Sequence, residues 1–111
     1  MQIESWGTMR WLVEDASHRG ADLSLARMTV SPGCTSPAHR HSNANEAIHV
    51  VAGELEIRVG KQWLAARAGD TVYVAQGTTH QARCRGDAQA VLIIAYSAGQ
   101  RTYESMEGVE D

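Results

Sequence analysis

Gly33-CTSPA-His39-Arg40-His41-SNAN-Glu46-AIHVVA-Gly53 is the stretch on which the reading of this chain turns. In an extended segment, residues two apart project to the same side. His39 and His41 therefore converge, and Arg40 points away. The small polar cluster Ser42-Asn43-Ala44-Asn45 reads as a turn or loop, after which a strand is predicted over 46–52, stopped by Gly53. Ile48 and Val50 share the face of Glu46 on that strand. His49 is three residues from Glu46 and so falls on the opposite face.

The same two-residue rhythm continues on either side. Over 54–59, Leu55, Ile57 and Val59 alternate with Glu54, Glu56 and Arg58. Upstream, 22–30 alternates in part, with Ala26, Met28 and Val30 on one face, and 9–13 is strand-like. Downstream, strands are predicted over 62–66, 71–75, 80–85 and 89–96, separated by Gly60-Lys61, Gly69-Asp70, Gln76-Gly77 and Gly86-Asp87. No stretch offers a long amphipathic helix. The expected fold class is all-β, with many short antiparallel strands. A small sheet of this kind leaves its edges unpaired unless it closes into a barrel or a double-sheet jelly roll. The polar tail over 98–111 is expected to be a loosely held extension.

Composition narrows the class further. A length of 111 residues suits one domain over 1–111. With no phenylalanine, the core must rest on Val, Leu, Ile, Ala and Met, and a pocket built from it would offer few rings. Ten Lys and Arg against 13 Asp and Glu, without a basic cluster, argue against nucleic acid as a partner. The opening MQIESWGTMRWLVED lacks the cationic and apolar runs of a leader peptide, and the longest apolar run, 90–96, is far short of the roughly 20 residues of a membrane helix. A cytoplasmic protein with no membrane partner is expected. Two cysteines, Cys34 and Cys84, do not make a disulfide framework. A single bridge stays open, but the compartment favours free thiols.

His80 comes from a later strand to join His39, His41 and Glu46. Three imidazoles and one carboxylate suit a borderline divalent ion such as Mn, Fe, Co, Ni, Cu or Zn, and suit calcium poorly. A His-x-His pair alone is a weak metal motif. The framing glycines strengthen it, and with them the chain resembles the cupin superfamily. The first cupin motif is Gly, five residues, His-x-His, three or four residues, Glu, six residues, Gly, and residues 33–53 fit it at every fixed position. The second is Gly, five residues, Pro-x-Gly, two residues, His, three residues, Asn. Residues 69–84 match it at Gly69, Gly77 and His80, with Ala75 in place of Pro and Cys84 in place of Asn. Fifteen residues separate the motifs, as in compact microbial cupins.

The resemblance implies a single cupin barrel holding one divalent transition metal (Mn, Fe, Ni, Cu or Zn) through His39, His41, Glu46 and His80. It further implies a metal-dependent enzyme on a small organic molecule, with a dioxygenase as the first reading. The alternatives are a metal-dependent lyase, isomerase or decarboxylase, or a non-enzymatic small-molecule-binding cupin. Glu46 is also the candidate base. Met28, Ile48, Val50, Cys84 and Tyr96 are the candidate pocket wall. A homodimer is usual in the family, and Trp6, Trp11 and 9–13 offer edge material for one or a cap on the barrel. Cys84 lies four residues from His80, roughly 13 Å along a strand, too far to share an ion with it. His18 sits in a turn-like stretch and is expected to be exposed. The missing Phe side chains slightly favour a small substrate over a large flat one.

Overall fold

A computed structural model describes residues 1–109. Eleven strands follow in chain order: β1 (Gln2–Glu4), β2 (Gly7–Val13), β3 (Ser24–Val30), β4 (His39–Arg40), β5 (Glu46–Ala52), β6 (Glu54–Val59), β7 (Gln62–Arg67), β8 (Thr71–Val74), β9 (His80–Cys84), β10 (Ala90–Tyr96) and β11 (Glu104–Ser105). They form two antiparallel sheets, one ordered β1-β2-β3-β10-β5-β8 and the other β11-β4-β9-β6-β7. This is the all-β double-sheet barrel that the alternation predicts. Among the described residues, no helix is long and apolar enough to cross a membrane.

Alternation decides what is buried. On β6, Leu55 and Ile57 enter the core while Glu54 faces solvent. On β5, Glu46, Ile48 and Val50 turn inward and His49 turns out, where its Nδ1 lies 2.8 Å from Thr71 Oγ1. The central strand β10 lies between β3 and β5 and contributes the fully buried Ala90 and Leu92. Aliphatic residues fill this interior, as the lack of Phe requires. Cys34 and Cys84 are both free thiols. Cys84 packs in the core, its Sγ 3.2 Å from the Ala88 carbonyl. His18 is exposed.

The tail differs from expectation. Over its described part, 98–109, it is held rather than loose and adds β11 to the second sheet, pairing Glu104 with Arg40 and Ser105 with His39; residues 110 and 111 lie outside the described residues. Met106 is buried, and its N–H donates to the Ala38 carbonyl at 2.9 Å. The Glu107 carboxylate accepts from the Ala38 N–H at 3.0 Å. A polar segment can bind this tightly because β4 would otherwise present an unpaired edge, and backbone pairing requires no apolar pattern. The outer strand β1 is exposed along its length.

Gly53 illustrates why a motif glycine is needed. Its φ is +89°, and a Cβ there would meet Ala90 Cα at 2.8 Å. Gly60 is also left-handed, at +61°, but has nothing within 4 Å of such a Cβ. Gly60→Ala is expected to cost about 1 kcal/mol of backbone strain, and Gly53→Ala about 2 kcal/mol or more, since the β10 backbone must also give way. Urea unfolding of the two variants measures the difference. Equal losses would rule out the close approach as the cause.

Candidate metal centre

The two sheets bring the four motif residues to one point from opposite sides. His39 on β4 is register partner of His80 on β9 in the second sheet. Glu46 starts β5 in the first sheet, between Tyr96 of β10 and Val74 of β8. His41 follows β4 in extended chain. Arg40 points outward, as parity demands, and pairs with Glu104. One ring nitrogen from each of His39, His41 and His80 lies within 4.8 Å of the others. The Glu46 carboxylate stands 3.2 Å from His41 Nε2 and 2.8 Å from His80 Nε2.

Each imidazole is fixed by its other nitrogen. His39 Nδ1 meets the Pro37 carbonyl at 2.8 Å, His41 Nδ1 the Thr102 carbonyl at 2.6 Å, and His80 Nδ1 the Thr78 carbonyl at 2.9 Å. A carbonyl only accepts, so each Nδ1 carries a hydrogen and a neutral ring turns the Nε2 lone pair inward. His41 Nε2, His80 Nε2 and Glu46 Oε1 are all buried, and their close approaches lack the alignment of a hydrogen bond. Buried polar atoms left this way need an explanation. A donor set of three imidazole nitrogens and one carboxylate fits a divalent transition ion. The 4.8 Å spread exceeds the roughly 3.4 Å between neighbouring ligands of a tetrahedral ion with 2.1 Å bonds, so the ring edges would draw inward to close on one.

The electrostatics agree with this fit. Burial lowers the His39 pKa to about 3, helped by the charge of His80. Burial alone would raise Glu46, but the adjoining His41 and His80 imidazoles together outweigh it, bringing the carboxyl to about 2. Burial likewise opposes the charged form of His80, yet the adjoining Glu46 carboxylate raises its pKa overall. Glu46 is thus anionic and His39 neutral, while a proton is favoured between His80 and Glu46 in the metal-free protein.

A cavity of about 50 Å³ adjoins His39, Glu46 and His80. Since one water occupies roughly 10–15 Å³ on this measure, the space holds a molecule of only a few heavy atoms. Met9, Met28, Ile48 and Ile94 form its apolar side. Of the five wall candidates, Met28, Ile48 and Tyr96 line it, whereas Val50 and Cys84 pack elsewhere in the core. The expectation of few rings also fails. Trp6, Tyr96 and Tyr103, half of the chain's six Trp and Tyr residues, line this one cavity. Tyr103 stacks on His39 at 4.8 Å between centroids, and Tyr96 meets His41 edge-on at 5.2 Å. The count of rings was low, but the fold concentrates them. Trp11 packs against Tyr96 at 5.7 Å, so the two N-terminal tryptophans both serve the barrel.

Three contributors to the site escape sequence reasoning. Thr102 supplies the carbonyl that orients His41, and Arg101 reaches the cavity wall. Asn43 holds the segment carrying both: its Nδ2 donates to the Gln100 carbonyl at 3.0 Å, and its Oδ1 accepts the Thr102 N–H at 2.8 Å. The asparagine-containing loop and the Arg-Thr-Tyr run were visible, but nothing local pairs segments nearly 60 residues apart.

Comparison with known proteins bears on this geometry. Residues 26–96 match the family model described as the cupin domain. The chain is 27% identical over 101 residues to the xanthan biosynthesis protein XanB of Xanthomonas campestris, covering 91% of this chain and 22% of that protein. It spans less than two fifths of the length of the curated relatives it matches. Its fold is similar to that of an oxalate oxidase solved with glycolate, with a TM-score of 0.81 and 22% identity over 90% of this chain and 55% of the other. It is also similar to oxalate decarboxylase from Bacillus subtilis, with a TM-score of 0.86 and 22% identity over 96% of this chain and 30% of that one. At such identity the likeness concerns the fold. With the family model covering well over half of the 111 residues, this chain belongs to the cupin family.

Proposed function

We propose that this cupin is a metal-dependent enzyme that binds one divalent transition ion through His39, His41, Glu46 and His80. In this reading it acts on a small oxygen-bearing molecule in the adjoining cavity. The observation that carries this is the pinning of three Nδ1 atoms by backbone carbonyls, which turns the three Nε2 atoms inward, those of His41 and His80 against the Glu46 carboxylate. A bound ion of this class supplies Lewis acidity and, for redox-active metals, a path for electrons. The chain's residues do the rest. Glu46 brings one negative charge, lowering the net charge of a divalent site to about +1. In this reading Glu46 serves as an anionic ligand, its carboxyl held below the usual carboxylate range by the adjoining His41 and His80. Burial raises the Tyr96 pKa, then the Glu46 charge raises it further, so this phenol remains a proton donor. The four aliphatic and methionine side chains of the wall exclude water.

Oxidative chemistry with dioxygen is the first reading of the reaction. Decarboxylation or lysis is the second, favoured by fold similarity to both an oxalate oxidase and an oxalate decarboxylase. Oxygen uptake and carbon dioxide release, followed with manganese-, iron-, copper- and nickel-loaded protein against enols, phenols, diketones and short carboxylic acids, separate the two. Binding without turnover in every metal form would replace the enzyme reading with that of a binding protein.

His39→Ala and His80→Ala should reduce metal from about one ion per chain to near none, whereas the outward-facing His49→Ala should leave it unchanged. Metal analysis of the purified variants reads this directly, and equal loss in all three would overturn the ligand assignment. Asn43→Ala should weaken zinc binding by roughly 10- to 100-fold, the usual effect of releasing a ligand's orienting partner. A competition titration with a chromophoric chelator measures it.

Metal must displace the His80 proton. Because the His80 pKa is raised, this competition begins above the ordinary histidine range and grows as pH falls. In metal-free protein the same raised pKa contributes stability below the unfolded value, about 6.5, which is lost as pH rises through the folded one. Zinc affinity should therefore drop about tenfold per pH unit below the folded His80 pKa, with one proton released on binding. Calorimetry in buffers of different ionisation enthalpy counts that proton. Affinity independent of pH between about 5 and 8 would exclude the linkage.

A further inference from the structure

Arg101 stands out as a cation without an anion. Its guanidinium lies over the rings of Trp11, Tyr96 and Tyr103, with Cζ 4.9, 5.2 and 5.3 Å from their centroids. The polar contact of its Nη2 is neutral, with Met9 Sδ at 3.7 Å. Among the described residues no carboxylate pairs with it, while Arg40, Arg83 and Arg85 each pair with a glutamate. Its Nε is buried and has no hydrogen-bond partner.

A guanidinium presents five donors in a planar fork suited to a carboxylate, and burying one with a donor unmet is unfavourable. Ring stacking explains where the side chain lies but leaves Nε unused. The position of the group resolves this. Arg101 lines the same cavity as His39, Glu46 and His80, and its charge acts on His80. It also lines an adjoining hollow of about 400 Å³ with Trp6, Met9, Pro37 and Tyr103, in which Glu4 is the acidic member. That hollow shares these five residues with the inner cavity and supplies a way in.

We propose that Arg101 is the anion-binding residue of the cavity and that the molecule handled beside the metal centre is a small carboxylate. This rests on the metal-centre reading above and names its substrate class. The carboxylate would lie between the guanidinium and the ligand cluster, with its carbon skeleton against Met28, Ile48 and Ile94. Neutral molecules of the same shape would lose the charge-assisted hydrogen bonds and bind more weakly.

The test uses cobalt-loaded protein, whose visible spectrum reports the coordination shell, titrated with lactate and with its neutral isostere lactamide. Wild-type protein should prefer lactate by at least tenfold. Arg101→Met, which keeps a long apolar side chain on the rings, should bind cobalt at the same stoichiometry and lose that preference. Arg101→Lys should retain the charge but only part of the preference, and it decides the matter if the methionine variant loses cobalt. Cobalt bound at one per chain with no preference for lactate in wild type, or an undiminished preference in both variants, overturns the anion site alone. Failure of wild-type protein to bind cobalt overturns the metal centre and the proposal with it.

Discussion

Three hydrogen bonds from imidazole Nδ1 to backbone carbonyls hold this site in its working arrangement. The carbonyls belong to Pro37, Thr78 and Thr102, which lie in three separate segments of the chain. A histidine side chain is free to rotate about two bonds, and either nitrogen can carry its hydrogen. Each carbonyl fixes both the rotation and the tautomer, because an acceptor demands a donor. The cost of gathering three Nε2 atoms beside a buried carboxylate is thereby met in folding. The same arrangement makes Glu46 hard to protonate and His80 hard to deprotonate in the absence of metal, so the two form a buried ion pair.

The barrel supplies the scaffold on which those carbonyls can meet. Glu46 reaches the centre from the first sheet, and His39 and His80 reach it as register partners in the second. A one-residue slip in either strand would move its His or Glu side chain to the outside, since strand side chains alternate. Alternation is therefore under two demands at once. It places Leu55, Ile57 and Leu92 in the core, and it turns Glu46 and His80 inward beside them. The outward turn of His49 beside inward Glu46 and Ile48 follows from the same rule.

That rule also explains what was legible in the sequence. The strands around both motifs announce themselves by period-two alternation, and glycines such as Gly53 mark turns that need a left-handed backbone. His39, His41, Glu46 and His80 come together as their spacing suggests. The two- and three-residue strands β1, β4 and β11 are too short to show a period. The tail was misjudged because its attachment uses backbone bonds, the Glu107 carboxylate and Asn43, none of which leaves an apolar pattern. The aromatic character of the cavity was hidden for a related reason. Trp6, Tyr96 and Tyr103 are scattered along the chain, and only closure of the barrel brings them together.

The tail is accordingly part of the site. Asn43 grips Gln100 on one side and Thr102 on the other, and Arg101 lies between them. One loop side chain therefore sets the backbone carbonyl that orients His41 and the backbone from which Arg101 reaches the cavity. The orientation of His41 and the charge facing the cavity are mechanically linked through this clamp. The link has a consequence for how such a fold changes chemistry. His39, Glu46 and His80 sit on paired strands and must keep their register, whereas Arg101 and Tyr103 sit on a segment held by a few side-chain and backbone bonds. Replacing that segment can alter what the cavity accepts while the strands that carry His39, Glu46 and His80 stay as they are, provided a carbonyl remains for His41.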